Sequence, residues 1–163
     1  MGSINYFTSD YITIGVDLNA LHDNIENEFD DDYSRDYYIS DYINDLYDDV
    51  EALLKQYDFY YFNVRVKPGY YEGFSIDIEY NFAYCLDSWR DRRDALKEIT
   101  DITAFLLKCI NDFNLCAVSP GWCTTYYSRN DTIKKLKDAI EEMRDTVKRT
   151  PTWLQVRREG KNA

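Results

Sequence analysis

Apolar and polar residues alternate along Tyr11-Ile12-Thr13-Ile14-Gly15-Val16-Asp17-Leu18, with Ile12, Ile14, Val16 and Leu18 on one side. That period of two predicts a half-buried strand. Residues 19–33 are polar and acidic, end in Asp30-Asp31-Asp32, and suit a short helix or a loop. From Ser34 the period changes. Ile39, Ile43, Leu46, Val50, Leu53 and Tyr57 recur every three or four residues, which is one face of a helix. Ser34 is its expected N-cap, and Asp36 then sits near the positive end of the helix dipole.

Two further strands are predicted over Phe59 to Lys67 and Gly73 to Phe82, with Pro68-Gly69 supplying hairpin-turn chemistry between them. Phe62, Val64 and Val66 alternate with Asn63, Arg65 and Lys67. Phe74, Ile76, Ile78 and Tyr80 alternate with Ser75, Asp77 and Glu79. One face is therefore apolar, and the other sets bases against acids, which helps fix the register. Ser88-x-x-Asp91 has the form of a capping box opening a second helix, whose core face reads Leu96, Ile99, Thr103, Leu106, Ile110 and Phe113. Leu115 to Tyr127 reads as a strand interrupted at Ser119-Pro120-Gly121. Ser128-x-x-Asp131 opens a third helix carrying Ile133, Leu136, Ile140, Met143 and Val147 on one face, and Thr150-Pro151 stops it.

The resulting order, β-α-β-β-α-β-α, predicts an α+β fold. Its first six elements are those of the ferredoxin-like split β-α-β arrangement, an antiparallel sheet with helices on one face, here with an extra C-terminal helix. With 163 residues, a single domain over 1–150 is expected, followed by a flexible basic tail over 151–163. Tyrosine is unusually frequent, 16 residues against 8 Phe and 3 Trp. Most of it falls at strand or core-face positions, so packing is the expected use, with partner recognition the alternative.

Charge changes the picture more than composition does. The formal net charge is −11, but residues 1–58 carry −13, residues 59–128 carry −2, and residues 129–163 carry +4. An acidic surface of this kind repels nucleic acid and anionic membrane and attracts basic proteins or cations. Neither direct nucleic-acid binding nor membrane association is expected. No stretch approaches the roughly 20 apolar residues that cross a bilayer, and Met1 to Tyr6 lacks the features of a secretory leader, so the expected compartment is the cytoplasm. Cys85, Cys109, Cys116 and Cys123 do not have zinc-site spacing and are expected to be reduced, mostly buried thiols.

On the helix beginning at Ser34, Asp41, Asp45, Asp48 and Asp49 fall in one arc opposite the apolar stripe. Only Arg35 and Lys55 relieve the row, and Asp30, Asp31 and Asp32 extend it. Like charges at this spacing cost a few tenths of a kcal/mol per pair, at about the same order as an alternating Lys/Glu face would gain. A row of anions a few ångströms apart also imitates a nucleic-acid backbone, which places a phosphate every ~3.4 Å along each strand. In charge layout, Glu28 to Tyr33 and onward through Asp49 resembles the small acidic inhibitors of phages and mobile elements. Those include antirestriction and anti-CRISPR proteins that act as DNA mimics. The resemblance covers about a third of the chain and shares no motif. It implies a non-enzymatic, phage-encoded inhibitor acting in a host cell's cytoplasm. Such a protein would set Asp30, Asp31, Asp32, Asp41, Asp45, Asp48 and Asp49 against a basic, nucleic-acid-binding partner.

The bland alternative is an ordinary solvated helix face. A functional alternative is a small-ligand or divalent-cation domain using the open sheet face or the Asp30–Asp41 segment. Read as a calcium loop, Asp30, Asp32, Ser34, Asp36 and Asp41 fall at ligand positions, but Arg35 stands where the sharp turn needs glycine. Enzyme chemistry has little to work with. The only histidine is His22, with no Ser or Cys motif beside it, and phosphate-cradling glycine loops are absent. No cofactor and no metal is expected. Arg90, Arg92 and Arg93 oppose the dipole of the second helix, with Asp87, Asp91 and Asp94 as the expected compensation. Trp122, in the turn Pro120 to Cys123, is expected to be buried.

Overall fold

The structure is a computed structural model that describes residues 11–25, 28–68, 73–82, 85–119 and 123–162. The chain runs through β1 (Thr13–Gly15), α1 (Leu18–Ile25), α2 (Asp32–Leu54), β2 (Phe62–Pro68), β3 (Phe74–Tyr80), α3 (Trp89–Asp112), β4 (Cys116–Ser119), β5 (Thr125–Tyr126), α4 (Arg129–Arg149) and α5 (Trp153–Asn162). It is an α+β fold with a five-stranded sheet in the order β2-β3-β1-β4-β5. Every neighbouring pair is antiparallel. The expected sheet had four strands. The fifth arises because the segment after Leu115 folds back on itself, pairing Val118 with Tyr126 and Ser119 with Thr125. The turn that reverses it, Pro120 to Trp122, lies outside the described residues, as does the hairpin tip at residues 69–72.

Register puts Ile14 opposite both Ile76 and Ala117, with Val66 and Val64 paired to Ile76 and Ile78. Ile14, Ile76, Ile78 and Ala117 are fully buried, so this row is the floor of the core. The helices pack on it. Tyr47 of α2 meets Phe74 edge-on, Thr132 of α4 accepts the Ala117 N–H, and the Tyr80 hydroxyl donates to Thr150 just past α4. Burial pushes the Tyr80 phenol up to about 12, with the Thr150 hydroxyl pulling slightly the other way. The opposite face carries two diagonal ion pairs, Arg65–Glu79 and Lys67–Asp77, both at 3.3 Å, and Thr13 donates to Asp77. Bases and acids alternate there as the sequence pattern requires.

Several boundaries move, each for a local reason. The first strand is short because the Asp17 carboxylate accepts the Ala20 N–H and opens α1, drawing Leu18 into a helix. The N-cap of α2 is Asp31 rather than Ser34: its carboxylate accepts the Ser34 N–H at 2.6 Å, and Ser34 becomes a residue of the first turn. Ile39, Ile43, Leu46, Val50 and Leu53 are buried on α2 as their spacing predicts. Tyr57 falls beyond the helix and stacks on Phe59. On α3 and α4 the caps are Ser88 and Ser128, as read from the sequence. The buried face of α3 is wider than one stripe and takes in Ala95, Glu98, Ile102 and Phe105, because this helix packs against both α2 and α4. Residues 153–162 are not the expected loose tail. They form α5, moored where Leu86 and Thr152 pair in an isolated bridge and where Arg92 donates to Gln155 and to the Thr150 carbonyl. Among the described residues no helix is long and apolar enough to cross a membrane.

Glu98 is the unexpected member of the core. Its carboxylate is buried and accepts the N–H groups of Tyr60, Tyr61 and Phe62 at 2.9 to 3.2 Å. A buried anion is tolerated only when such donors replace its lost water. Removing it orphans three amides, so Glu98→Ala is expected to destabilise the fold by about 3 kcal/mol, with Glu98→Gln milder, in urea unfolding. Asn114 ends α3 in the left-handed region at φ 53°, the only such non-glycine among the described residues. Asn114→Val should cost about 1–2 kcal/mol, while Asn114→Gly should cost nothing measurable.

Candidate protein-interaction surface

The helix α2 spans 23 residues, and its sequence holds seven acids against a single base, Arg35. Arg35 sits between Asp32 and Asp36, at 3.4 and 3.6 Å, so it neutralises only the first turn. Asp31 is committed to the cap. The Ser34 N–H and hydroxyl both bond to it and hold its carboxyl below the usual carboxylate range. Asp30 is exposed just ahead of the helix. Farther along, Asp41, Asp45, Asp48 and Asp49 are all exposed, and none has a basic side chain within ion-pair distance among the described residues. Of the seven expected residues, Asp31 and Asp32 are therefore engaged locally at the helix start, Asp30 is exposed ahead of it, and Asp41, Asp45, Asp48 and Asp49 form a row along the helix without an ion pair among the described residues.

Tyrosine shares the solvent side of α2. Tyr33 is 81% exposed and Tyr37 63%, followed by Tyr38 at 43% and Tyr42 at 41%. Packing was the expected use of tyrosine. Among the described residues only Tyr11, Tyr61 and Tyr80 are buried, and the exposed ones gather on α2, with Tyr60 as a fifth. At 100° per residue, Tyr38 and Tyr42 share one flank with Asp45 and Asp49, while Tyr33 and Tyr37 lie toward the outer face with Asp41 and Asp48. The angular offset of these tyrosines from Ile39 was readable in the sequence, and it is the signal that could have marked them. The flank of Tyr42, Asp45 and Asp49 borders a shallow groove of about 370 Å³, closed on its far side by Asp112, Phe113 and Asn114 at the end of α3. Asp112 joins this site only through tertiary packing, and nothing local in sequence announces it.

The calcium-loop reading of Asp30 to Asp41 does not fit the backbone. Residues from Asp32 onward are helical, so their carboxylates fan out at 100° steps rather than converging on one point. Among the described residues no group of three or more His, Cys, Asp or Glu side chains is placed to hold a metal ion. His22 is a half-buried residue of the last turn of α1. All four cysteines are free, but only two are buried. Desolvation pushes Cys109 up to about 12 and Cys116 up to about 11, which leaves both as inert thiols at neutral pH. Cys85 is half-buried and Cys123 is exposed. Trp122 lies outside the described residues.

The arginines of α3 meet the expected compensation in part, since the Arg90 charge helps lower the Asp91 pKa. Arg92 stacks on Trp89 at 4.2 Å and is held by carbonyl oxygens at the start of α5, and no ion pair joins Arg90, Arg92 or Arg93 to an aspartate among the described residues. Asp91 accepts from Tyr61 at 2.7 Å, which lowers its pKa, with Ser88 and the Arg90 charge adding to the effect. A second concavity, of about 420 Å³, lies between β1, β4 and α4. Within it the Ser119 and Tyr127 hydroxyls bond at 2.9 Å, and Lys135 covers the Tyr127 ring at 4.3 Å.

Carboxylates stacked at i, i+3 and i, i+4 repel each other, and salt screens that repulsion. Raising NaCl from about 0.02 M to 0.5 M, a range over which the Debye length shrinks severalfold, is expected to raise the melting temperature by a few degrees. Asp45→Asn with Asp49→Asn should flatten the response in the same thermal scans. Compared with protein-family models, curated proteins and solved structures, the chain matches none of them.

Proposed function

We propose that this protein is a non-enzymatic inhibitor that lays the acidic face of α2 against a basic, nucleic-acid-binding surface of a partner protein. The observation that carries this reading is the row Asp41, Asp45, Asp48 and Asp49. It is exposed and unpaired among the described residues, on a helix whose single base is already engaged. An ordinary solvated face relieves its charges with Lys or Arg at i, i+4; this one leaves them uncompensated, at a cost that a cationic partner would remove. The spacing along the helix, about 6 Å per i, i+4 step, suits a groove built to track phosphates. We take the fold as a ferredoxin-like core enlarged by α1, β5, α4 and α5, since β3 lies between β1 and β2 in the split β-α-β manner. In this reading the sheet is the scaffold and α2 the working surface. The setting is the cytoplasm of a cell whose defence nuclease is blocked by a phage or mobile element.

The test is a panel of purified restriction enzymes and RNA-guided nucleases, each assayed for duplex-DNA binding with and without the protein. At least one is expected to lose DNA binding, with an effect that fades as NaCl rises from about 0.05 to 0.3 M. The triple variant Asp41→Lys, Asp45→Lys, Asp49→Lys should weaken inhibition by about a hundredfold or more while circular dichroism stays unchanged. Inhibition that survives this charge reversal overturns the proposal, as does a panel in which no member is affected.

A further inference from the structure

Aspartates alone would make α2 a surface for any cation. The tyrosines make it more selective. Tyr33, Tyr37, Tyr38 and Tyr42 are large, partly apolar side chains left in solvent on the one helix that also carries the unpaired acids. Four aromatic rings left 41–81% exposed on a 23-residue helix give the free fold less packing than burial would, whereas tyrosine is among the residues that anchor protein interfaces. The spacing brings ring and carboxylate together: Tyr38 and Asp41 or Tyr42, Tyr42 and Asp45, and Asp45 and Asp49 are i, i+3 or i, i+4 neighbours. Phe29 packs beside Tyr38 at 5.3 Å and steadies that ring from behind.

From this we infer that α2 takes arginine in preference to lysine, and that the site of preference is the flank where Tyr38 and Tyr42 meet Asp45, Asp49 and Asp112. Guanidinium is planar, weakly hydrated and forked, so it stacks on a phenol ring while its edge donates to a carboxylate; an ammonium is a compact, strongly hydrated point charge that loses more water to do the same and offers no bidentate edge. The groove fits that shape. It is lined by Tyr42, Asp45 and Asp49 of α2 and by Asp112 at the end of α3, in a volume of about 370 Å³. Its carboxylates are not clustered closely enough to share a metal ion. A compact divalent cation therefore finds no converging ligand set, whereas a broad, multi-donor group can reach carboxylates that are spread apart. The partner this face fits is an arginine-rich protein segment. The inference rests on the acidic-face reading above, and adds to it which basic side chain is recognised and by which residues.

Two fluorescently labelled peptides of equal charge, nona-arginine and nona-lysine, separate the two ideas by anisotropy titration of the full chain. Nona-arginine is expected to bind about tenfold more tightly than nona-lysine at about 0.1 M NaCl, the ratio that one or two exposed cation–π contacts supply. Tyr38→Ser with Tyr42→Ser should bring the ratio close to one while both peptides still bind in a salt-sensitive way. Tyr33→Ser with Tyr37→Ser should leave the preference largely in place. Equal affinities for the two peptides on the unaltered protein overturn the arginine preference and leave the acidic face standing. So does a preference that survives loss of Tyr38 and Tyr42. If neither peptide binds, or if Asp41→Lys, Asp45→Lys, Asp49→Lys has no effect, the acidic-face reading falls and this inference falls with it. Circular dichroism on each variant checks the fold, which these exposed positions should not disturb.

Discussion

The buried carboxylate of Glu98 is the contact on which the arrangement of the layers depends. It ties the middle of α3 to the three amides that lead into β2, at the point where the chain leaves the α2 layer and enters the sheet. Without the carboxylate these amides lose the acceptor that the fold gives them, and those of Tyr61 and Phe62 lie on buried residues. Once Glu98 is seated, Tyr61 turns its hydroxyl to Asp91, and Asp91 in turn belongs to the cap of the same helix. One helix thus fixes the start of the second strand twice, seven residues apart along its own axis. The hairpin β2–β3, and through β3 the short β1, follow from where that strand begins.

This is also where sequence pattern stops being sufficient. The apolar stripes of α2 and α4, the alternation in β2 and β3, and the serine caps of α3 and α4 were legible because each depends on a local period or on a side chain meeting its own backbone. Glu98 was not, because a glutamate on an amphipathic helix looks like solvent face until the strand amides that hold it are in view. The same holds for Thr132 and Thr150, buried polar residues whose partners, Ala117 and Tyr80, come from distant strands. The fold-back that makes β5 and the mooring of α5 to Leu86 likewise depend on contacts between segments far apart in sequence. At the candidate surface, the acidic row could be read directly. Its division into a capped first turn and a free stretch could not, because that depends on whether Asp31 or Ser34 caps the helix. The groove wall from α3 is a tertiary feature altogether.

The two solvent-facing surfaces of the molecule are built on opposite electrical plans. On the open side of the sheet, Arg65, Lys67, Asp77 and Glu79 pair diagonally, and each charge is answered within one strand spacing. On α2 nothing answers Asp41, Asp45, Asp48 or Asp49 among the described residues. The contrast argues against treating the acid as a general solubilising coat, since the same fold arranges charge economically elsewhere.

The packing order of the helices gives this asymmetry a direction. Because α3 packs against both α2 and α4, it separates the anionic helix from the segment that carries the surplus of bases, residues 129–163. The charge of the molecule is consequently distributed unevenly, −13 over residues 1–58, which include α2, and +4 over residues 129–163, which include α4. In the field of a cationic surface such a body experiences a torque before it experiences contact. Against the cationic partner proposed above, that torque would act within about a Debye length of contact, beyond which salt screens it, and would favour encounters with α2 foremost. The placement of α3 between its two helical neighbours, a packing matter at first sight, keeps the acidic helix and the basic end of the chain apart.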